Sequence, residues 1–421
     1  MAVRVGDLLG RDQFPIEDTS GNVWVGHVEA GGQTQFQQMA TLPTGRTGVG
    51  ECLGQGGDQF MIQDAEVALL ICARIAKSKG RSMSSIVTRF TERFGCRYPF
   101  ACAGMAFAAT ADLALAVCRG GGVGAIGVGF IPAEELRAAI RHLRLRTTAP
   151  FNINFLTIFD NDAQIRVCVE ERVPIVSFHW GHPPTEHIKL LHDAGVSVWE
   201  QIGSVGAAKK ARADGIEVIV AQGWEAGGHN YGGVPTLALV PRVVDAVGPA
   251  LVLAAGGIAD GRGAAAALAL GADGVWVGSR MVATREAAVH PEHKRRIVAG
   301  NGEQTVLSSI FGPEMPQFNP MRVIRNRVVD EWNDRLKEVP TRRDQLPEIG
   351  RTRFLDQDRV LRKFDAFLAT TDTEADWEEM PWLGGQGIGL IHDIPSAADA
   401  VETMMTDAGA ILGRLARSIH P

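Results

Sequence analysis

What this chain lacks narrows its class before any motif is read. Aromatic residues make up 6% of the 421, against 45% hydrophobic residues in all, so the core must be aliphatic and globular. The six cysteines, at 52, 72, 96, 102, 118 and 168, form no CxxC pair and no metal-ligand spacing. A disulfide framework and a zinc ribbon are thereby set aside, and the thiols read as reduced and mostly buried. Basic residues are outnumbered, 42 to 48, and the net charge of −6 offers no surface for nucleic acid. No apolar run approaches the roughly 20 residues that cross a bilayer. The first residues carry neither the basic stretch nor the apolar segment of a signal peptide. A cytoplasmic protein handling small molecules is expected.

Glycine, by contrast, is abundant and unevenly placed. An apolar segment at 216–220 reads as a buried strand and leads into Ala221-Gln222-Gly223-Trp224-Glu225-Ala226-Gly227-Gly228-His229. Glycines this dense after a strand let the backbone approach a ligand and present N–H groups to it. A histidine ending such a loop is placed to move a proton near neutral pH. A second strand, 251–255, runs into Gly256-Gly257, an alanine-rich helix follows at 263–270, and a third strand, 274–277, closes on Gly278-Ser279. Two successive glycine-rich strand ends late in the chain match the phosphate-binding loops of a (β/α)8 barrel.

The remaining pattern agrees. Strands at 100–105, 123–128, 151–156, 175–179 and 196–202 alternate with helices at 110–118, 132–146, 162–171, 185–194 and 205–213. An open doubly wound sheet is the alternative, but its glycine signature belongs on the first βα turn. Side chains at strand C-terminal ends face the site of a barrel, which selects Met105, Asn154, His179, Gln201, Gln222, His229, Gly257 and Ser279. The run His179-Trp180-Gly181-His182 invites a metal reading but lacks carboxylate or cysteine partners at useful spacing, so no metal is expected.

Residues 222–229, 254–258 and 278–279 resemble the nitronate monooxygenases, formerly 2-nitropropane dioxygenases, which are FMN enzymes of TIM-barrel fold. The match runs from 98 to 281, with a weaker echo at Gly385-Gln386-Gly387. The resemblance implies FMN contacts from Ala103, Gly104, Met105, Asn154, Gln201, Gln222, Ala226, Gly227, Gly257, Gly278 and Ser279. It makes His229 the catalytic base and puts His179 and Gln386 in the substrate pocket. It further implies oxidation of alkyl nitronates or nitroalkanes by O2, giving nitrite and a carbonyl compound. An NAD(P)H-dependent flavin reductase of enoyl-thioester or quinone type shares the same loops and is the alternative. A non-redox barrel binding a phosphorylated metabolite is a third class. One departure stands out: the first strand of family members usually ends Gln-Gly-Pro-Met, whereas here Cys102-Ala103-Gly104-Met105 occupies the place. Cys102 reads as an inert buried thiol.

The expected organisation is an α/β chain in four parts. Residues 1–92 are an N-terminal extension of unknown role, with a strand at 23–28 and an amphipathic helix at 64–77; a homodimer contact is one use for it. Residues 93–284 are the FMN-binding (β/α)8 barrel. Residues 285–378 are a small helical lid inserted after the last barrel strand, whose basic clusters 294–296 and 341–343 read as solvated faces. Residues 379–421 return to the barrel through a final amphipathic helix.

Overall fold

The computed structural model describes residues 86–354 and 357–419, with the backbone of five strands in the first 85 residues. The chain divides into two units, Met1–Ser84 and Ser85–Pro421. In the first, Gln13–Glu17, Val23–Val28 and Thr34–Ala40 form an antiparallel sheet, and Gly50–Leu53 pairs with Gln59–Ile62. The strand expected at 23–28 is present with those bounds. The helix expected over 64–77 lies outside the described residues.

The second unit is the barrel. Its strands are β1 (Phe100–Cys102), β2 (Gly124–Gly127), β3 (Phe151–Leu156), β4 (Ile175–His179), β5 (Ser197–Ile202), β6 (Val218–Gln222), β7 (Leu251–Ala255) and β8 (Gly274–Val277). They are parallel, in the order β1-β8-β7-β6-β5-β4-β3-β2. A parallel bridge from Ala101 to Val123 joins the two ends, with the Cys102 N–H donating to the Val123 carbonyl at 2.9 Å. Strands buried on both faces explain the near-continuous apolar runs seen in the sequence.

Seven helices follow the first seven strands: α1 (Ala111–Arg119), α2 (Ala133–Arg144), α3 (Asp162–Glu170), α4 (Thr185–Asp193), α5 (Val205–Ala213), α6 (Thr236–Val247) and α7 (Gly261–Ala269). Ser204 caps α5 and Asp260 caps α7, each side chain accepting from first-turn N–H groups. The eighth place is taken by α8 (Ala397–Arg417), which packs on both α7 and α1. Its approach requires glycine at 261, where a Cβ would lie 2.8 Å from the Met404 carbonyl oxygen.

The barrel unit starts earlier than the boundary expected at 92/93. A short helix, Arg89–Phe94, capped by Thr88, plugs the lower end of the barrel. Phe90 is fully buried there, 5.6 Å from the ring of Trp199, which in turn lies 6.2 Å from Trp276. Arg89 grips both carboxylate oxygens of Asp273, at 2.8 and 2.7 Å.

The segment 285–378 departs from the expected helical lid. Two short α-helices, Pro291–Ala299 and Arg327–Trp332, share it with the strands Thr305–Ser308, Met321–Ile324, Glu348–Phe354, Gln357–Arg362 and Glu374–Ala375. Its charges alternate at period two, with Arg351 and Arg353 exposed and Thr352 buried between them, which is a strand pattern. Counting charges without their spacing reads this as helix.

Candidate active site

The C-terminal ends of the strands open into a cavity of about 650 Å³, within the usual range for a small-molecule site. Of the residues picked from the sequence, Ala103, Gly104, Met105, Asn154, His179, Gln201, Gln222, Ala226, Gly227, His229, Gly257, Gly278 and Ser279 all line it. Gln386 does not. It is exposed and faces a separate groove beside Glu225 and Leu237, while its main-chain N–H donates to the Glu225 carbonyl at 2.9 Å. Its glycine neighbours Gly385 and Gly387 are the ones that reach the cavity.

The glycines are there to let backbones meet. Gly256 and Gly257 adopt φ of +104° and +71°, open to glycine at little cost. A Cβ on Gly227 would stand 2.3 Å from the Gly385 nitrogen. The Gly385 N–H donates to Ser279 Oγ at 3.0 Å, so the late glycine run ties the loops after β6 and β8 together.

Polar side chains at the strand ends are only partly satisfied. Gln222 donates through Nε2 to the His229 carbonyl at 3.1 Å, and its Oε1 is buried without a partner. Asn154 and Asn152 both donate to Ser177 Oγ at 2.8 Å. Gln201 Nε2 lies 3.3 Å from His179 Nε2, which leaves His179 Nδ1 buried and unpartnered. Burial, aided by the neighbouring His229, lowers His179 to about 3, so it is neutral at physiological pH.

His229 is held by two features of the covering segment. Gly228–His229 pairs antiparallel with Arg322 and Met321. Nδ1 of His229 lies 2.6 Å from the Phe318 carbonyl oxygen. A carbonyl only accepts, so Nδ1 carries the proton and Nε2 keeps its lone pair. Burial depresses the imidazole to about 4, against the opposing pull of that hydrogen bond. Trp180, with φ of +71°, packs edge-on against His229 at 5.0 Å and donates to the Gln317 carbonyl.

Several participants carry no sequence motif. Asn230, fully buried, donates to the carbonyls of Gly223, Trp224 and Ala226 and accepts from the Gly232 N–H. Arg322 donates twice to the Trp224 carbonyl and stacks on its ring at 5.1 Å. His293 lines the cavity, donates through Nε2 to the Leu383 carbonyl at 2.8 Å, and holds a buried, unpartnered Nδ1 acceptor. Only Asn230, directly following His229 in the glycine run, left a local signal. Cys102 is fully buried, and burial pushes its thiol far up, as suits an inert group. His182 turns away from the cavity and pairs with Glu200 at 2.8 Å. Among the described residues, no helix is long and apolar enough to cross a membrane.

Comparison with known proteins agrees with this geometry. The family model for nitronate monooxygenase matches residues 87–163 and 157–407, well past the stretch the motifs covered. The chain is 30% identical over 348 residues to (3aS,4S,5R,7aS)-5-hydroxy-7a-methyl-1-oxo-octahydro-1H-indene-4-carboxyl-CoA dehydrogenase of Mycobacterium tuberculosis, covering 76% of this chain and 96% of that one. It is 28% identical over 366 residues to a nitronate monooxygenase of Pseudomonas aeruginosa, covering 76% and 98%. The solved structure of FabK from Thermotoga maritima superposes with a TM-score of 0.65 at 33% identity, covering 80% of this chain and 100% of that one. A glycine-looped barrel whose cavity holds neutral, backbone-fixed histidines, matched along most of its length, places the chain in the nitronate monooxygenase family and among the oxidoreductases.

Proposed function

We propose that the chain is an FMN-dependent enzyme that oxidises alkyl nitronates or nitroalkanes with O2, releasing nitrite and a carbonyl compound. The observation that carries this reading is the fixed tautomer of His229, with Nδ1–H on the Phe318 carbonyl and a free lone pair on Nε2 at the cavity wall. That nitrogen is suited to take the proton from the carbon next to a nitro group. The family membership supports the same chemistry.

The residues present fit a flavin nucleotide. Gln222 Oε1 and His293 Nδ1 are buried acceptors without partners, awaiting donors that a ring N–H and sugar-like hydroxyls would bring. Asn154, Gln201 and Gln222 would hold the polar edge of the ring. Ala103, Gly104, Met105 and Ala226 would lie against it. Main-chain N–H groups at Gly227, Gly257, Gly278 and Ser279 would hold the phosphate without a lysine. When bound, the flavin supplies the electron chemistry and the reaction with oxygen; the chain supplies orientation and the proton acceptor.

The test is nitrite release and oxygen uptake by the flavin-loaded enzyme on nitroalkanes from two to eight carbons long, with and without a terminal carboxylate, each supplied in its neutral and its nitronate form. No nitrite from any of them would overturn the reading. A second reading, a dehydrogenase or NAD(P)H-dependent reductase of acyl thioesters, is favoured by the Mycobacterium relative, whose name specifies a carboxyl-CoA substrate. Rapid anaerobic bleaching of the flavin by NADH would select it.

A further inference from the structure

The cavity does not end at His229. A chain of rings leads away from it: Phe318 at 5.3 Å from His229, Phe159 at 5.3 Å from Phe318, and Phe130 at 4.6 Å from Phe159. Phe354 follows at 6.5 Å from Phe130, and Phe367 at 5.3 Å from Phe354. With Phe107, these are six of the chain's 17 phenylalanines gathered on one cavity, in a protein otherwise poor in aromatics. Half of the six come from loops after β1, β2 and β3, and half from the covering segment, so the wall exists only where the two meet. A wall of this kind suits a long or ring-bearing apolar body and has no use for a two-carbon one.

The far end is charged. The Arg359 guanidinium sits 4.9 Å over the Phe367 ring. Arg359 and Arg343 both line the cavity and both hold Asp365, at 3.2 and 2.6 Å. Asp365 is only 5% exposed, whereas about a third of each arginine side chain is exposed, 34% and 35%. Two guanidiniums share one buried carboxylate, and the Nε of each is buried without a partner. Glu314 also lines the cavity but is exposed. Arg343 belongs to the basic cluster 341–343 that its sequence context marked as solvated; the fold turns it onto the site instead.

Resting on the nitronate-oxidising reading, we propose that the substrate of this site is an elongated apolar molecule with an anionic far end. Its acidic carbon meets His229, its body lies along the phenylalanine wall, and its carboxylate or phosphate is held by Arg343 and Arg359. Asp365 fixes the two guanidiniums so that their remaining donors face the incoming anion.

The experiment compares 1-nitrooctane with 8-nitrooctanoate on the flavin-loaded enzyme. The expected KM for the anion-terminated compound is about ten-fold the lower, a ratio that falls towards one in Arg343→Gln/Arg359→Gln. Equal KM values in the unaltered enzyme would overturn the proposal, whether or not the variant folds. Binding is read separately, by titrating the flavin absorbance with octanoate, octyl phosphate and octanol. Tighter binding of octanoate assigns a carboxylate and tighter binding of octyl phosphate assigns a phosphate. Binding no tighter than octanol by both overturns the proposal. If no nitroalkane yields nitrite, the nitronate reading falls, and this titration still decides the anion site.

Discussion

His229 and Phe318 are bound Nδ1 to carbonyl at 2.6 Å across 89 positions of sequence, which fixes the proton on one nitrogen and the lone pair on the other. Replacing His229 by Ala removes the proposed proton acceptor and keeps every glycine of the loops. Turnover of the neutral nitroalkane should drop by about 10²–10⁴-fold with flavin still bound. Turnover of a preformed nitronate, which needs no deprotonation, should fall far less. Comparing nitrite release from the two forms measures this; equal losses on both would remove His229 as base.

The pH dependence follows from the same burial. His229 must be neutral to act and its folded value is about 4, so kcat/KM on the neutral nitroalkane should stay flat from about pH 8 to 5 and fall only towards 4. A fall beginning near the ordinary histidine value of 6.5 would contradict the assignment.

Stability responds over a wider window. His179, His229 and His293 are lowered to about 3, 4 and 4 from 6.5, chiefly by burial. The unfolded chain then binds more protons than the folded one below pH 6.5, so stability is complete above that value and is lost as pH falls towards 4. Calorimetry from pH 7.5 to 4.5 should show Tm declining, and a histidine-to-phenylalanine change at His293 should flatten the decline.

Asn230 organises the loop that carries His229. Asn230→Ala strands the carbonyls of Gly223, Trp224 and Ala226 and the Gly232 N–H, and should cost about 2 kcal/mol. Denaturant midpoints would report this, together with weaker flavin retention. A midpoint unchanged from the parent would mean that the loop keeps its shape without the amide.

Gly385→Ala tests the junction of the late glycine run with the loops. A Cβ there would lie 2.8 Å from both the Glu225 carbonyl oxygen and the Gly227 nitrogen, and neither is a flexible side-chain end. Flavin affinity should fall at least about ten-fold, since a shift of these backbones misplaces the N–H groups. Fluorescence titration of the flavin-stripped protein would measure it.

The barrel and the His229 loop were legible because their signals are local. Strand, glycine turn and helix recur within a few dozen residues, and glycines such as Gly223, Gly227 and Gly256 mark close backbone approaches. Phe318, His293 and Arg343 were not, because each acts through a docking between segments far apart in sequence. Gln386 failed for a different reason. The motif correctly marked its stretch of main chain as touching the site, but the side chain leaves on the opposite side. The strands within 285–378 were hidden by their charge, whose alternation is visible only when spacing is weighed above composition.

The short ladder joining Gly228–His229 to Met321 and Arg322 makes the roof of the cavity and the imidazole parts of one mechanical unit. Any change that moves the Met321–Arg322 strand therefore also moves the imidazole, and with it the contact to Phe318 that decides which nitrogen bears hydrogen.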